Sequence, residues 1–232
     1  MTAPIGLVGG TGWPSTALYY TRLNRLVEPD TIAILVASLS FQPILDHAEQ
    51  GRLDLVTQAF VTAAQRIEAA GAGVVGLCAA TAHLAYDAVA AAVSIPCCHI
   101  ASPFRQPQAF LPAGAVVGVL GTLTTLDQGI FGAPLAAAGH VVLSPAGPIA
   151  MALDRAIKHD ISAGHAGDAA LAVVQEAIDD LAARGATHIV LGCTELPLIR
   201  DRLAVTVPLL DAVDLHCRAL LTAAGAAPGG VA

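Results

Sequence analysis

The chain has little positive charge: 11 Lys and Arg stand against 18 Asp and Glu in 232 residues, a formal charge of −7. It has no basic run, so neither nucleic acid nor an anionic membrane is expected as a partner. Long apolar runs are also missing. Although 55% of the residues are apolar, Gly or Pro interrupts each run well short of the roughly 20 residues a bilayer span needs. The opening Met1-Thr2-Ala3-Pro4 passes directly into a strand pattern, with neither a basic segment nor an apolar signal core, so the expected address is the cytoplasm. The five cysteines, at positions 78, 97, 98, 193 and 217, are odd in number and none falls in a CxxC pattern. A disulfide framework and a zinc site are therefore not expected.

What the chain does have is a duplication. Gly71-Ala72-Gly73-Val74-Val75-Gly76-Leu77-Cys78-Ala79-Ala80-Thr81 reads as a copy of Gly185-Ala186-Thr187-His188-Ile189-Val190-Leu191-Gly192-Cys193-Thr194-Glu195, 114 positions on. Ile5-Gly6-Leu7-Val8-Gly9-Gly10 pairs with Val117-Gly118-Val119-Leu120-Gly121-Thr122 at nearly the same offset. The length suits two such halves with a real core, and a tandem of this kind can set two strand ends across one pseudo-twofold cleft. In that alignment Cys193 stands opposite Ala79.

Apolar runs of four to eight residues alternate with longer amphipathic stretches, the pattern of βα units in a parallel sheet. The fold class expected is α/β, two pseudo-symmetric parallel-sheet halves in three αβα layers with the site in the cleft between them. Strands are expected at Ile5–Val8, Ile32–Ala37, Val74–Leu77 and Cys97–Ile100, then at Val116–Leu120, His140–Leu143, His188–Leu191 and Pro208–Leu210. Helices are expected over Ser15–Leu26, with Ser15 as N-cap behind Pro14, over Ile44–Ala70 as one long or broken helix, and over Asp168–Arg184 as its counterpart. The domains run 1–102 plus a C-terminal helix near 211–224, and 103–210, with the crossover in Pro103–Gly114. The tail Pro228-Gly229-Gly230-Val231-Ala232 reads as disordered.

In open parallel sheets the ligand crevice lies outside the carboxyl ends of the strands. Gly9-Gly10-Thr11-Gly12, Ala79-Ala80-Thr81, Gly121-Thr122 and Cys193-Thr194-Glu195 all fall there, where amides and hydroxyls can converge on an anion. The glycine loop fits neither a Walker pattern nor GxGxxG, and alone reads as turn glycines. Cys193 sits at a strand-to-helix turn, where peptide dipoles can lower a thiol pKa. Cys97, Cys98 and Cys217 read as small buried hydrophobes, and strand alternation turns Cys78 into the core. His83, His99 and His216 read as packed, hydrogen-bonded histidines.

On these residues the chain resembles the cofactor-independent aspartate/glutamate racemase family over nearly its whole length. Ile5 to Thr16 is similar to the family's opening motif, Leu120-Gly121-Thr122-Leu123-Thr124-Thr125 to its second-half entry loop, and Leu191-Gly192-Cys193-Thr194-Glu195-Leu196 to its second catalytic motif. The resemblance implies an isomerase in which two cysteines flank the substrate α-carbon, one removing the α-proton and the other delivering a proton to the opposite face. It implies neither pyridoxal phosphate nor metal, a small amino-acid substrate, and a homodimer. Carried over, Cys193 is the catalytic thiol. Ala79 occupies the partner position, because Ala79-Ala80-Thr81-Ala82-His83 stands where the family has Cys-Asn-Thr-x-His. Thr81 and Thr194 match carboxylate-holding positions, Thr11, Thr122 and Thr125 lie in the same anion loops, and Lys158 aligns loosely with a residue for a distal acid group. Leu123 and Ser40 are uncharged where relatives often carry Arg and Asp, which puts preference for acidic amino acids in doubt. Three explanations of the missing Cys and Asn remain open: a variant working with one thiol, a chain in which both were replaced, or a member that has lost catalysis. The alternatives to a racemase are a single-cysteine decarboxylase or isomerase of the same superfamily, as in the arylmalonate decarboxylases, and a silent amino-acid-binding pseudoenzyme.

Overall fold

The computed structural model describes residues 2–164 and 166–229. The chain divides into two compact units, one comprising residues up to Ile100 and those from Asp214 onward, the other Ala101–Val213.

In the first unit the order is β1 (Ile5–Gly9), α1 (Trp13–Arg25), β2 (Ile34–Ser38), α2 (Phe41–Glu49), α3 (Leu53–Ala69), β3 (Val74–Leu77), α4 (Tyr86–Ala92) and β4 (Cys97–Cys98). The second unit holds β5 (Val116–Leu120), α5 (Leu123–Asp127), α6 (Gly132–Ala137), β6 (Val141–Leu143), α7 (Gly147–Ala156), α8 (Asp168–Ala183), β7 (His188–Leu191) and β8 (Leu209–Asp211). α9 (Ala212–Ala223) then returns the chain to the first unit. Each unit has one four-stranded parallel sheet, ordered β2-β1-β3-β4 in the first and β6-β5-β7-β8 in the second. The two orders are the same, so the duplication read from the sequence is a duplication of topology.

The central strands β1 and β3 are buried at every residue. Strands covered by helices on both faces need continuous apolar runs, which is why these segments do not alternate. Each Val or Leu so buried contributes about 1.5–3 kcal/mol relative to exposure. Around them, Phe60, Ala63, Ala64 and Ile67 of α3 form one core with Val8, Val75 and Leu77. In the second unit Val174, Ala177, Ile178 and Leu181 of α8 pack with Leu120, Ile189 and Leu191.

The duplicated stretches begin with a helix stop. After α3, Gly71 takes φ 100° and donates to the Glu68 carbonyl at 2.9 Å, while Ala72 donates to Ile67 at 3.2 Å. After α8, Gly185 takes φ 91° and the same two bonds recur, Gly185 to Ala182 and Ala186 to Leu181, both at 3.0 Å. This double closure needs a left-handed residue that only Gly adopts without strain.

Of the two forms expected for Ile44–Ala70, long or broken, the broken one is found, because Gly51 at φ 71° closes α2 in the same way. Three other expectations are corrected. Ser15 is not the N-cap: α1 begins at Trp13 behind Gly12, and Ser15 is buried inside its first turn. The fourth strand is Cys97–Cys98 alone, since β4 is an edge strand with pairing only to β3. Within the expected tail, Pro228 and Gly229 are described, and Gly229 is held by its amide to Leu26 (2.7 Å) and by the Arg218 guanidinium on its carbonyl (2.8 Å); Gly230–Ala232 lie outside the described residues. Among the described residues no helix is long and apolar enough to cross a membrane.

Candidate active site

In the second unit the chemistry gathers at the carboxyl ends of the neighbouring strands β5 and β7, where Leu120 faces Leu191 in register. The Gly192 amide donates to the Leu120 carbonyl at 2.7 Å. A Cβ on Gly192 would lie 2.6 Å from that oxygen and 3.0 Å from the Phe131 ring, so only glycine lets the backbone come this close. The next residue, Cys193, is buried. Its thiol donates to Glu195 Oε2 at 2.9 Å, and the Thr194 hydroxyl donates to the same oxygen at 3.1 Å. Thr194 and Glu195 are buried as well.

Burial pushes the Cys193 thiol well above its usual range, and the Glu195 charge and hydrogen bond push it further. The expectation that peptide dipoles make a ready thiolate is thus reversed. Glu195 leads into a 3-10 helix, Leu196–Arg202, and not into a long α-helix; the favourable bonds from the Glu195 and Thr194 amides are outweighed by desolvation and a neighbouring carboxylate. Cys193 is thus a desolvated thiol hydrogen-bonded to a carboxylate.

Thr122 caps α5, its hydroxyl accepting from the Thr125 amide at 3.2 Å and lying 3.0 Å from the Thr125 hydroxyl. Both threonines are buried. Lys158 lies on a single π turn, Ile157–Ile161, that continues α7. Its ammonium pairs with Asp154 at 2.8 Å, and the other Asp154 oxygen accepts from the Leu123 amide at 2.9 Å. Asp154 thereby ties Lys158 to the Thr122 loop.

In the first unit β1 and β3 pair in the equivalent register, Val8 with Leu77, and the Cys78 amide donates to the Val8 carbonyl at 2.9 Å. Ala79 is the second residue past β3, as Cys193 is the second past β7. The buried Ala79 side chain is a methyl packed in the α3 core. Cys78 is buried and desolvation raises its thiol far out of range. Thr11 is half-buried in the loop after β1, where Gly10 and Gly12 take φ 94° and 110°, so those glycines serve the turn. Thr81, first residue of the 3-10 turn Thr81–Ala85, is exposed.

His83 fixes that loop from beneath. Its Nε2 accepts the Ile100 amide at 3.0 Å, so Nδ1 carries the proton and donates to the Ala79 carbonyl at 3.0 Å and, less closely, to Ala80 at 3.3 Å. His216 takes the other tautomer: its Nε2–H donates to the Cys98 carbonyl at 2.9 Å and Nδ1 accepts the Tyr19 hydroxyl at 2.7 Å. Burial, with neighbouring imidazoles, drives His83 well below the usual histidine value, and burial brings His216 down to about 4. Both are neutral, packed histidines. His99 packs against His83 with ring centroids 4.6 Å apart and ring planes tilted by 60°. Cys217 is fully buried, but Cys97 and Cys98 are only half-buried because their strand is a short edge; desolvation still raises them to about 12 and about 11. Among the described residues no group of three or more His, Cys, Asp or Glu side chains is placed to hold a metal ion.

Sequence reasoning passed over three residues: Glu195, Asp154 and the buttressing role of His83. The four-residue spacing of Asp154 and Lys158 was a signal for one of them. A carboxylate two residues after the thiol was a signal for another.

Two repeats of a parallel four-stranded sheet, one ending in a buried thiol held by a carboxylate, define the class as a duplicated α/β protein. A sequence model of the Asp/Glu/Hydantoin racemase family matches residues 8–220, and the chain belongs to that family. It is similar to a candidate Asp/Glu racemase from Yersinia pestis, with 28% identity over 96% of this chain and 99% of that one and a TM-score of 0.81. An aspartate racemase homologue from Pyrococcus horikoshii OT3 is 25% identical over 96% of this chain and 99% of its own, with a TM-score of 0.78. The aspartate racemase of Picrophilus torridus, 17% identical over 96% of this chain and 94% of that one, shares the fold with a TM-score of 0.76.

Proposed function

We propose that this protein is a cofactor-independent amino-acid isomerase of the racemase type, and that Cys193 moves the substrate α-proton with Glu195 as its proton acceptor. The observation that carries this is the 2.9 Å bond from the Cys193 thiol to the buried Glu195 carboxylate. A thiol this strongly desolvated does not ionise alone near neutral pH, but a carboxylate in contact can take its proton as the α-carbon is engaged. The thiolate then removes the α-proton: the C–H bond breaks, an S–H bond forms, and the electron pair stays on the substrate as an enediolate. Within the second unit the hydroxyls of Thr122, Thr125 and Thr194 are the proposed partners of the substrate carboxylate; Thr11 and Thr81 lie in the corresponding loops of the first unit.

The Ala79 position favours one-sided turnover. Its loop offers two methyls, a deeply buried Cys78, and a His83 whose two ring nitrogens are both engaged, so no side chain there is ready to give or take a proton. The α-proton of one enantiomer should therefore exchange much faster than that of the other. A homodimer belongs to the same reading, and sedimentation velocity tests it.

The deciding experiment is proton NMR in heavy water with aspartate, glutamate and a set of neutral amino acids. Cys193→Ser should abolish α-proton exchange, because an alcohol is far less ionised than a thiol. Glu195→Gln should slow exchange by about 10²- to 10⁴-fold while making Cys193 alkylate faster with iodoacetamide, since the charge that opposes the thiolate is gone and the amide can donate to it. Exchange at the parent rate in Cys193→Ser would sink the reading. Binding without exchange across the whole panel would make the chain a binding protein instead.

A further inference from the structure

Lys158 has the chemistry to hold a distal carboxylate, yet its charge is already engaged. Asp154 lies 2.8 Å from the ammonium through one oxygen, and its other oxygen is fixed by the Leu123 amide at 2.9 Å. The acid is the better buried member, 13% exposed at its side chain against 49% for Lys158. Asp154 is therefore anchored while the ammonium is open to solvent and can turn. The anchor stands at the active loops: Leu123 lies just past the end of β5, β5 pairs with β7, and Leu153, Ala156 and Ile157 share one core with Cys193 and Leu196. The π turn at Ile157–Ile161 is closed by the Ser162 amide on the Ile157 carbonyl at 3.0 Å, and such single π turns recur at functional sites.

A carboxylate arriving on Lys158 must share the ammonium with Asp154 or displace it, and it meets the Asp154 charge at short range. A carboxamide meets no such repulsion; it can accept from Lys158 and donate to Asp154. We propose that Asp154 is a specificity-determining positioning residue, which sets the preference of this site between an acidic side chain and its amide by holding the Lys158 ammonium. The proposal rests on the reading of the Cys193 loop as the active site.

The test compares aspartate with asparagine, both enantiomers of each, in parent protein, Asp154→Asn, Lys158→Met and the double variant. Dissociation constants are measured by calorimetric or NMR titration, so turnover is not required, and thermal unfolding checks each fold. Asparagine at position 154 keeps an oxygen for the Leu123 amide but releases the ammonium, and the strength of charge-assisted bonds makes a shift of at least about tenfold toward aspartate the expected result. The double variant should return to the parent ratio, and Lys158→Met alone should lower any preference for aspartate. Where exchange is measurable, the shift should fall on KM and leave kcat nearly unchanged. An unchanged ratio, equal weakening of both ligands, or no binding of either ligand to any of the proteins would overturn the proposal. A shifted binding ratio with no α-proton exchange in any protein would leave it standing and remove the catalytic reading instead.

Discussion

Acid should weaken the first unit earlier than carboxylate titration alone would, and His216 supplies most of the calculable effect. Its imidazole is fully buried and neutral, with a folded pKa near 4 against an ordinary 6.5. Because the folded value is depressed, the unfolded chain takes up the proton first. The stabilisation is fully present above about pH 6.5 and is lost as pH falls toward 4. The full difference amounts to about 3 kcal/mol, and about 2 kcal/mol of it is gone by pH 5. That is a large share of the roughly 5–15 kcal/mol that holds a typical domain together. The groups facing His216 are the Tyr19 hydroxyl from α1, the Cys98 carbonyl at β4, and the His83 and His99 rings. None is an anion that could stabilise imidazolium. His83 acts in the same direction, since its protonation removes the acceptor of the Ile100 amide. Denaturant unfolding followed by Trp13, the chain's one tryptophan and a residue of this unit, measures the loss between pH 7.5 and 5. His216→Gln keeps a donor for Cys98 and an acceptor for Tyr19 but cannot titrate there. It should lose about 2 kcal/mol less than the parent over that window. An identical pH slope in the two proteins would refute the argument.

Gly192→Ala should destabilise the second unit by about 1–3 kcal/mol, because its Cβ meets the Leu120 carbonyl, which is backbone and cannot rotate away; thermal unfolding reads it. Gly147→Ala, in the first turn of α7 with open space around the added methyl, should be neutral or stabilising by about 0.4–1 kcal/mol in the same assay. Ala79→Cys with Ala80→Asn should raise two-way racemisation by about 10²- to 10⁴-fold, measured by chiral chromatography from both enantiomers. Equal rates before and after would remove Ala79 as the lost catalytic position.

The fold was readable where a local rule and burial agree. Val74–Leu77, Val116–Leu120 and His188–Leu191 are strands with the bounds expected of them, because an apolar run between a left-handed glycine and a loop has no competing structure. Edges were harder: β4 keeps only two paired residues since nothing on its far side demands more. Ser15 looked like a cap by residue type, but a positive-φ glycine three residues earlier had already turned the chain. The position of the thiol was legible from the duplication, whereas its ionisation was not. Strand-to-helix placement argues for a low pKa, and only burial beside Glu195 reverses the sign. Asp154 was invisible for a related reason: an aspartate four residues before a lysine on a helix is an ordinary surface pair until its second oxygen is found on the Leu123 amide.

The two units answer the same geometric problem with different chemistry. Each carries a strand end whose next amide is caught by the neighbouring strand, Cys78 on Val8 and Gly192 on Leu120, and each presents its second loop residue at the same step. In the second unit the side chains at that step are acid, hydroxyl and thiol joined by two hydrogen bonds, a set that can exchange a proton with a ligand. In the first unit the histidine beside the loop, His83, spends both nitrogens on the backbone of Ile100 and Ala79. Its neutrality makes it a strut, and a strut is what a loop of methyls requires, since Ala79 and Ala80 have no polar side chains to hold their own backbone. His83 bonds to the carbonyl oxygens of the two residues and to neither side chain, so its bonds do not depend on which side chains stand there. The loop backbone is thus held independently of the side chains at positions 79 and 80, which is why changing those two residues tests the proposed one-sided exchange.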